Sequence, residues 1–389
     1  MMRRAIVVLV LVALALTLGG CNWLKSLGKK DNVEPPKPLV EFAPTVSIQK
    51  LWSGSAGDGT GKSGARMNPA VVGDRVYVAS VNGDVQALDA ANGRRLWSTE
   101  VKKISWSGGP AASADMVVVG ALNGQVRAYS AQDGSELWQV QLSSEIITAP
   151  AISANVIAVR TQDGRLYGLD PANGSRRWVY EQTVPVLSLR GNSSPLIGNG
   201  FVIDGFDTGR LVAVRDVDGA PAWVQVLAAG EGRTEVERLA DADGQLVLDN
   251  GELFASSYNG QVAAFHAESG RSLWTRDMSS FAGLAVGGST VVVSDAEGNV
   301  WAFDRQSGAN LWKQDGLLHR WLSAPAVVGN FAVVGDLEGY VHWLNLADGS
   351  FAARQRVGKN AIESAPVVSG DVVFVENAGG NLAAFRTPM

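Results

Sequence analysis

Pro69-Ala70-Val71-Val72-Gly73-Asp74-Arg75-Val76-Tyr77-Val78-Ala79-Ser80-Val81-Asn82-Gly83-Asp84-Val85-Gln86-Ala87-Leu88-Asp89-Ala90-Ala91-Asn92-Gly93-Arg94-Arg95-Leu96-Trp97 decides the fold. It holds four short apolar or alternating runs divided by turn residues. Asn-Gly between such runs marks a hairpin, because both residues accept the positive φ of a tight turn. The stretch therefore reads as four antiparallel strands, A to D. Its ruler is strict: one Gly falls 14 residues after the Pro, a second 24 after it, and a Trp 28 after it. Pro110, Gly124, Gly134 and Trp138 keep the same ruler, as do Pro150, Gly164, Gly174 and Trp178, and Pro195, Gly209, Gly219 and Trp223. Two copies lack the Pro (Gly260, Gly270, Trp274; Gly298, Gly308, Trp312). A seventh has Pro325, Gly339 and Gly349 but Ala353 in place of Trp, and an eighth has Pro366 and Gly380 and no Trp.

An orphan fourth strand, Ile48-Gln49-Lys50-Leu51-Trp52, precedes the first copy. It supplies what the eighth copy lacks, so the two ends complete one unit and the repeats close into a ring. About 40 residues and four strands per repeat describe a blade of a β-propeller. The expectation is an all-β, eight-bladed β-propeller over residues 46–389, closed by pairing strand 47–52 into the C-terminal blade. Closure leaves no long exposed sheet edge. The repeated Trp, Gly and Asp89-type residues read as packing and turn devices, with each Trp on outer strand D filling the space between blades.

The 389 residues carry a net charge of −5, or −7 without Arg3 and Arg4. A moderately acidic chain is a poor nucleic-acid ligand. Met1-Met2-Arg3-Arg4 and the apolar run Ala5 to Leu18 form a signal peptide (1–20), too short to span a bilayer. It runs into Leu18-Gly19-Gly20-Cys21, which resembles a bacterial lipobox, so Cys21 is expected to be the lipidated first residue of the mature chain. There is one Cys, which rules out an intrachain disulfide. By resemblance to Gram-negative lipoproteins, Asn22 in place of Asp implies delivery to the outer membrane, facing the periplasm. Residues 21–45 read as a flexible tether, spanning roughly 25–30 Å as a coil and about 70 Å fully extended.

Several chemistries fail on inspection. Gly57-Asp58-Gly59-Thr60-Gly61-Lys62-Ser63 approaches a phosphate-binding loop, but Ala56 stands where its first Gly belongs and a strand, not a helix, follows. Asp241-Ala242-Asp243-Gly244 opens like a calcium loop that Gln245 and Leu246 then break. His266, His319 and His342 fall on three blades without metal-ligand spacing, and the last two read as hydrogen-bonded blade residues. Ala87-Leu88-Asp89 through Gly93 to Trp97 resembles the structural motif of quinoprotein dehydrogenases, which are eight-bladed propellers holding pyrroloquinoline quinone and calcium. This chain has neither their length nor their adjacent Cys pair. No enzyme activity, metal or cofactor is expected; a quinoprotein-like dehydrogenase and a general envelope interaction propeller are the alternatives.

Uniformity breaks in one place. From each blade's Trp position to the next Pro position the chain takes 13, 12, 17, 23, 10, 13 and 13 residues. The two long connections, Trp178 to Pro195 and Trp223 to Leu246, are neighbours and are expected on the face shared with the B–C turns. Loops on a rigid frame are where binding concentrates. The first presents Leu187, Leu189 and Arg190, apolar and cationic anchors of the kind found in interfaces; the second is acidic.

The lipobox, the charged tether, the Trp-motif blades, Leu187-Ser188-Leu189-Arg190-Gly191 and Glu237-Arg238-Leu239-Ala240-Asp241-Ala242-Asp243 together resemble the BamB family. So do Leu317-Leu318-His319-Arg320 and Gly335 to Trp343. Members are lipoprotein subunits of the β-barrel assembly machinery of Gram-negative outer membranes. The resemblance implies a non-catalytic, monomeric scaffold in the BAM complex that aids folding and insertion of outer-membrane proteins. It implies that Leu187, Leu189 and Arg190, with Asp241 and Asp243 nearby, bind the POTRA domains of BamA. Nascent outer-membrane strands pairing with blade edges is a further expectation.

Overall fold

The computed structural model describes residues 34–61, 65–185, 193–228, 242 and 244–388. Cys21, Leu187, Leu189, Arg190, Asp241 and Asp243 lie outside these. The described residues form eight four-stranded antiparallel sheets and no helix. Strands are numbered β1–β32 in chain order. Blade one is Ala70–Val72, Arg75–Ala79, Asp84–Asp89 and Arg95–Glu100 (β2–β5), paired in sequence order. Blade eight is closed as expected: β1 (Gln49–Ser55) pairs with β32 (Asn381–Arg386), outside β31 (Val372–Glu376) and β30 (Val367–Ser369).

The ruler has one physical meaning at seven of the eight seams. The indole Nε1 of Trp52, Trp97, Trp138, Trp178, Trp223, Trp274 and Trp312 donates to a carbonyl of the next blade, at 2.7–3.0 Å. The ring then covers that blade's second ruler Gly. A Cβ on Gly93, Gly134, Gly174, Gly219, Gly270, Gly308 or Gly349 would stand 2.5–2.7 Å from the indole, and each has φ between 64° and 73°. Trp and Gly therefore answer each other across blades: the Gly is required by the turn and by the ring it receives.

Blade seven departs, and the structure shows how. Elsewhere the strand-C residue facing the Trp is small, as in Ala87↔Trp97 and Ala302↔Trp312; in blade seven the pair is Trp343↔Ala353. Large and small have exchanged across the ladder. Trp343 is fully buried, donates to Thr387 Oγ1 at 3.1 Å and meets Phe385 of blade eight edge-on at 5.5 Å. Blade eight draws its fourth strand from β1, so no C–D turn offers a Gly for a blade-seven Trp to cover.

Two further segments complete the body. The Gly57–Gly61 loop lies in the seam between blades one and eight, where Gly61 N donates to Ala378 O and Gly59 O accepts from Val81 N. Its polar backbone serves closure, which agrees with reading it as a loop beside the closing blade. Residues 37–45, at the end of the segment assigned to the tether, lie against blade seven. Lys37 N donates to Leu318 O, Arg320 Nη1 to Lys37 O and Arg354 Nη1 to Val40 O, at 3.0–3.1 Å, and Phe42 stacks on Phe351 at 5.3 Å.

Candidate functional site

Every blade hands its D–A connection to the face of its own B–C turn. After β13 (Arg176–Glu181), Gln182 N donates to the ruler Gly164 O at 2.9 Å; after β17 (Pro221–Val226), the amides of Leu227 and Ala228 both reach Gly209 O, at 2.8 and 3.1 Å. The two long connections thus leave on one face.

Their described return points meet at one strand end, the C-terminus of β15 (Phe201–Phe206) in blade four. Ser193, the first described residue of the first connection's return, is buried, and its Oγ accepts from Gly205 N at 3.3 Å. Ala242, in the second, is fully buried, donates its amide to Phe206 O at 3.3 Å and packs in the core between blades four and five. A Cβ on Gly205 would overlap the Ala242 carbonyl oxygen and approach Ser193 Oγ to 3.2 Å. Asp204-Gly205-Phe206-Asp207 is therefore the common floor of both connections.

Beneath the floor sits Arg160, from β11 (Ile157–Thr161) of blade three. Its guanidinium lies 3.9 Å from the Phe206 ring centroid, bonds Asp207 Oδ1 at 3.2 Å and stands 3.9 Å from Asp204 Oδ2. Arg160, Asp204 and Asp207 are all buried. Burial pushes the Asp204 carboxyl up to about 7, against the opposing pull of Arg160, Ser193 and the Gly205 amide. Sequence reading missed this cluster, although a signal existed. At the position of Arg160 the other blades carry Ala79, Gly120, Gly205, Ser256, Ser294 and Gly335, and only blade eight also breaks the pattern, with Glu376. A charge in a slot otherwise reserved for small residues marks a local departure from pure packing.

The other residues singled out by sequence fall elsewhere. His342 is fully buried; its Nδ1 accepts from Arg354 Nε at 3.1 Å, so Nε2 carries the proton donated to Asp336 Oδ2 at 3.0 Å. Asp336 also takes Arg320 Nε at 2.8 Å. Burial raises the Asp336 carboxyl, but the bonds from His342 and Arg320 outweigh it and hold it low. Burial likewise lowers His342 and keeps it neutral. His266 meets Ser269 Oγ at 3.2 Å. Among the described residues no three His, Cys, Asp or Glu side chains converge as a metal site. The inner strands leave a cavity of about 210 Å³ bordered by Arg66, Asn68, Gln245 and Glu363. There burial raises the Glu363 carboxyl, and Arg66 opposes that shift.

Comparison with known proteins gives the same architecture a lineage. The family described as "Outer membrane protein assembly factor BamB" matches residues 47–103 and 81–314. The protein of that name from Xanthomonas campestris pv. campestris is 41% identical over 393 residues, covering 97% of each chain. The crystal structure of BamB from Moraxella catarrhalis superposes with a TM-score of 0.80 at 28% identity, over 87% of this chain and all (100%) of that one. A quinohemoprotein alcohol dehydrogenase from Pseudomonas putida superposes at 0.70 with 14% identity, over 90% of this chain and 78% of its own, a likeness of fold alone.

Proposed function

This chain belongs to the outer membrane protein assembly factor BamB family, and on that premise we propose that it is a non-catalytic scaffold of the β-barrel assembly machinery. It docks the face carrying its two long connections onto the POTRA domains of BamA and helps outer-membrane proteins fold and insert. Leu187 and Leu189 supply apolar area and Arg190 charge-assisted hydrogen bonds, with Asp241 and Asp243 beside them. A lipid on Cys21 holds the propeller at the outer membrane, on the periplasmic side.

The observation that carries this reading is the convergence of both long connections on one strand end, Asp204 to Asp207, on one face of a rigid ring. The blades that close with short connections show that packing does not require the extra length. The experiment is a pull-down of purified POTRA domains by wild type, Arg190→Ala and Leu187→Ala/Leu189→Ala, each checked for native fold by circular dichroism. Loss of capture with the fold intact supports the interface. Unchanged capture moves it to another surface, and failure of wild type to bind points to a different envelope partner.

A further inference from the structure

We propose that Arg160, clamped between Phe206, Asp207 and Asp204, is a positioning residue for the docking face: it fixes the floor on which both long connections land. The proposal rests on the docking reading above and adds a residue outside the contact set proposed there.

Arg160 comes from blade three and every partner of its head group beyond its own strand comes from blade four, so it ties the two blades whose outgoing connections are long. Its guanidinium covers Phe206, whose carbonyl receives the Ala242 amide. It pairs with carboxylates on either side of the Gly205–Phe206 step, and Gly205 N is bonded by Ser193. Removing the cation takes away the tie from blade three to the Phe206 ring and Asp207 and pushes Asp204 further toward its neutral form, so the strand end loses its fixed position. Both connections then lose their common reference together.

A second consequence is sensitivity to pH. Among the described residues the charged groups facing Asp204 are Arg160, from blade three, and Asp207, after its own strand. Arg160, the Gly205 amide and the Ser193 hydroxyl favour the ionised carboxyl, but burial outweighs them, so the strand end that receives the first connection is settled with Asp204 protonated and strained when it ionises. With its carboxyl pushed up to about 7, the change falls in the neutral range. Docking is then firmer below neutrality than above it.

The test uses the mature chain as wild type, Arg160→Met, Arg160→Lys, Asp204→Asn and Arg190→Ala. Hydrogen–deuterium exchange is followed in peptides covering 186–192 and 229–241, and affinity for POTRA domains is measured at pH 6, 7 and 8. Arg160→Met is expected to speed exchange in both segments about tenfold while blades one and six keep wild-type protection, with Arg160→Lys intermediate. Wild-type affinity is expected to fall about threefold from pH 6 to pH 8, and Asp204→Asn to be flat. Exchange that rises equally around the ring, or in neither segment, overturns the positioning role. An Asp204→Asn variant that keeps the wild-type slope overturns the pH link. Should Arg190→Ala bind normally, the docking reading fails, yet the exchange data still decide what Arg160 does.

Discussion

The Trp–Gly pairing across blades makes a quantitative prediction. Gly134 has φ 73°, and a Cβ there would stand 2.5 Å from Cε3 of Trp97. Trp97 cannot retreat freely, since it is buried and its Nε1 holds Ala131 O at 3.0 Å. Gly134→Ala therefore carries two costs: about 1–2 kcal/mol for a left-handed alanine, and about 1–3 kcal/mol for overpacking against a ring fixed at both ends. Gly73 supplies the control, with φ 60° and nothing within 4 Å of its built Cβ. Gly73→Ala should show the backbone cost alone. The excess loss at Gly134, about 1–3 kcal/mol, is then the price of blocking the indole, read by urea unfolding monitored by tryptophan fluorescence. In a thermal scan of a domain this long each kcal/mol shifts the midpoint by about 1–2 °C. Trp97→Leu in the Gly134→Ala background should be less than additive, because the smaller side chain makes room for the methyl. Equal losses at Gly73 and Gly134, or strict additivity with Trp97→Leu, would refute the idea that the ring is what demands the glycine.

The seam between blades seven and eight should depend on Trp343 as the others depend on strand D. Trp343→Ala is expected to cost about 3–5 kcal/mol, and the exchange Trp343→Ala/Ala353→Trp should not recover it, because blade eight presents no glycine for the restored indole; thermal unfolding of the two variants decides. The buried His342 sets an acid limit. Its pKa is lowered by burial, so the unfolded chain takes up the proton first, and its share of stability is complete above the unfolded value of about 6.5 and is lost as pH falls below it. His342→Gln keeps a donor for Asp336 and an acceptor for Arg354, and should flatten the decline in unfolding free energy between about pH 7 and pH 5.

How far the chain could be read from its sequence depends on whether a departure from the repeat is compensated nearby. The regular part was legible because the same turns and the same ring demand the same residues at the same spacing: Asn82-Gly83, Gly93 and Trp97 recur around the ring, and the orphan Ile48 to Trp52 strand closes it as expected. Ala353 read as a simple loss, since a one-dimensional ruler cannot see that the ladder places Trp343 opposite it; register, not spacing, carries that compensation. Residues 37–45 read as tether because their partners, Leu318, Arg320, Ala352 and Arg354, come from the far end of the chain. Arg160 differs in kind. It breaks the small-residue pattern, but its charge is answered by Asp204 and Asp207 in the neighbouring blade, just where the two connections return. A departure absorbed within its own ladder, as at Trp343, repairs packing. One answered by further departures in the next blade, at the point where the loops lengthen, places the landing of those loops under its control, and that distinction separates a structural irregularity from a functional one on an otherwise uniform ring.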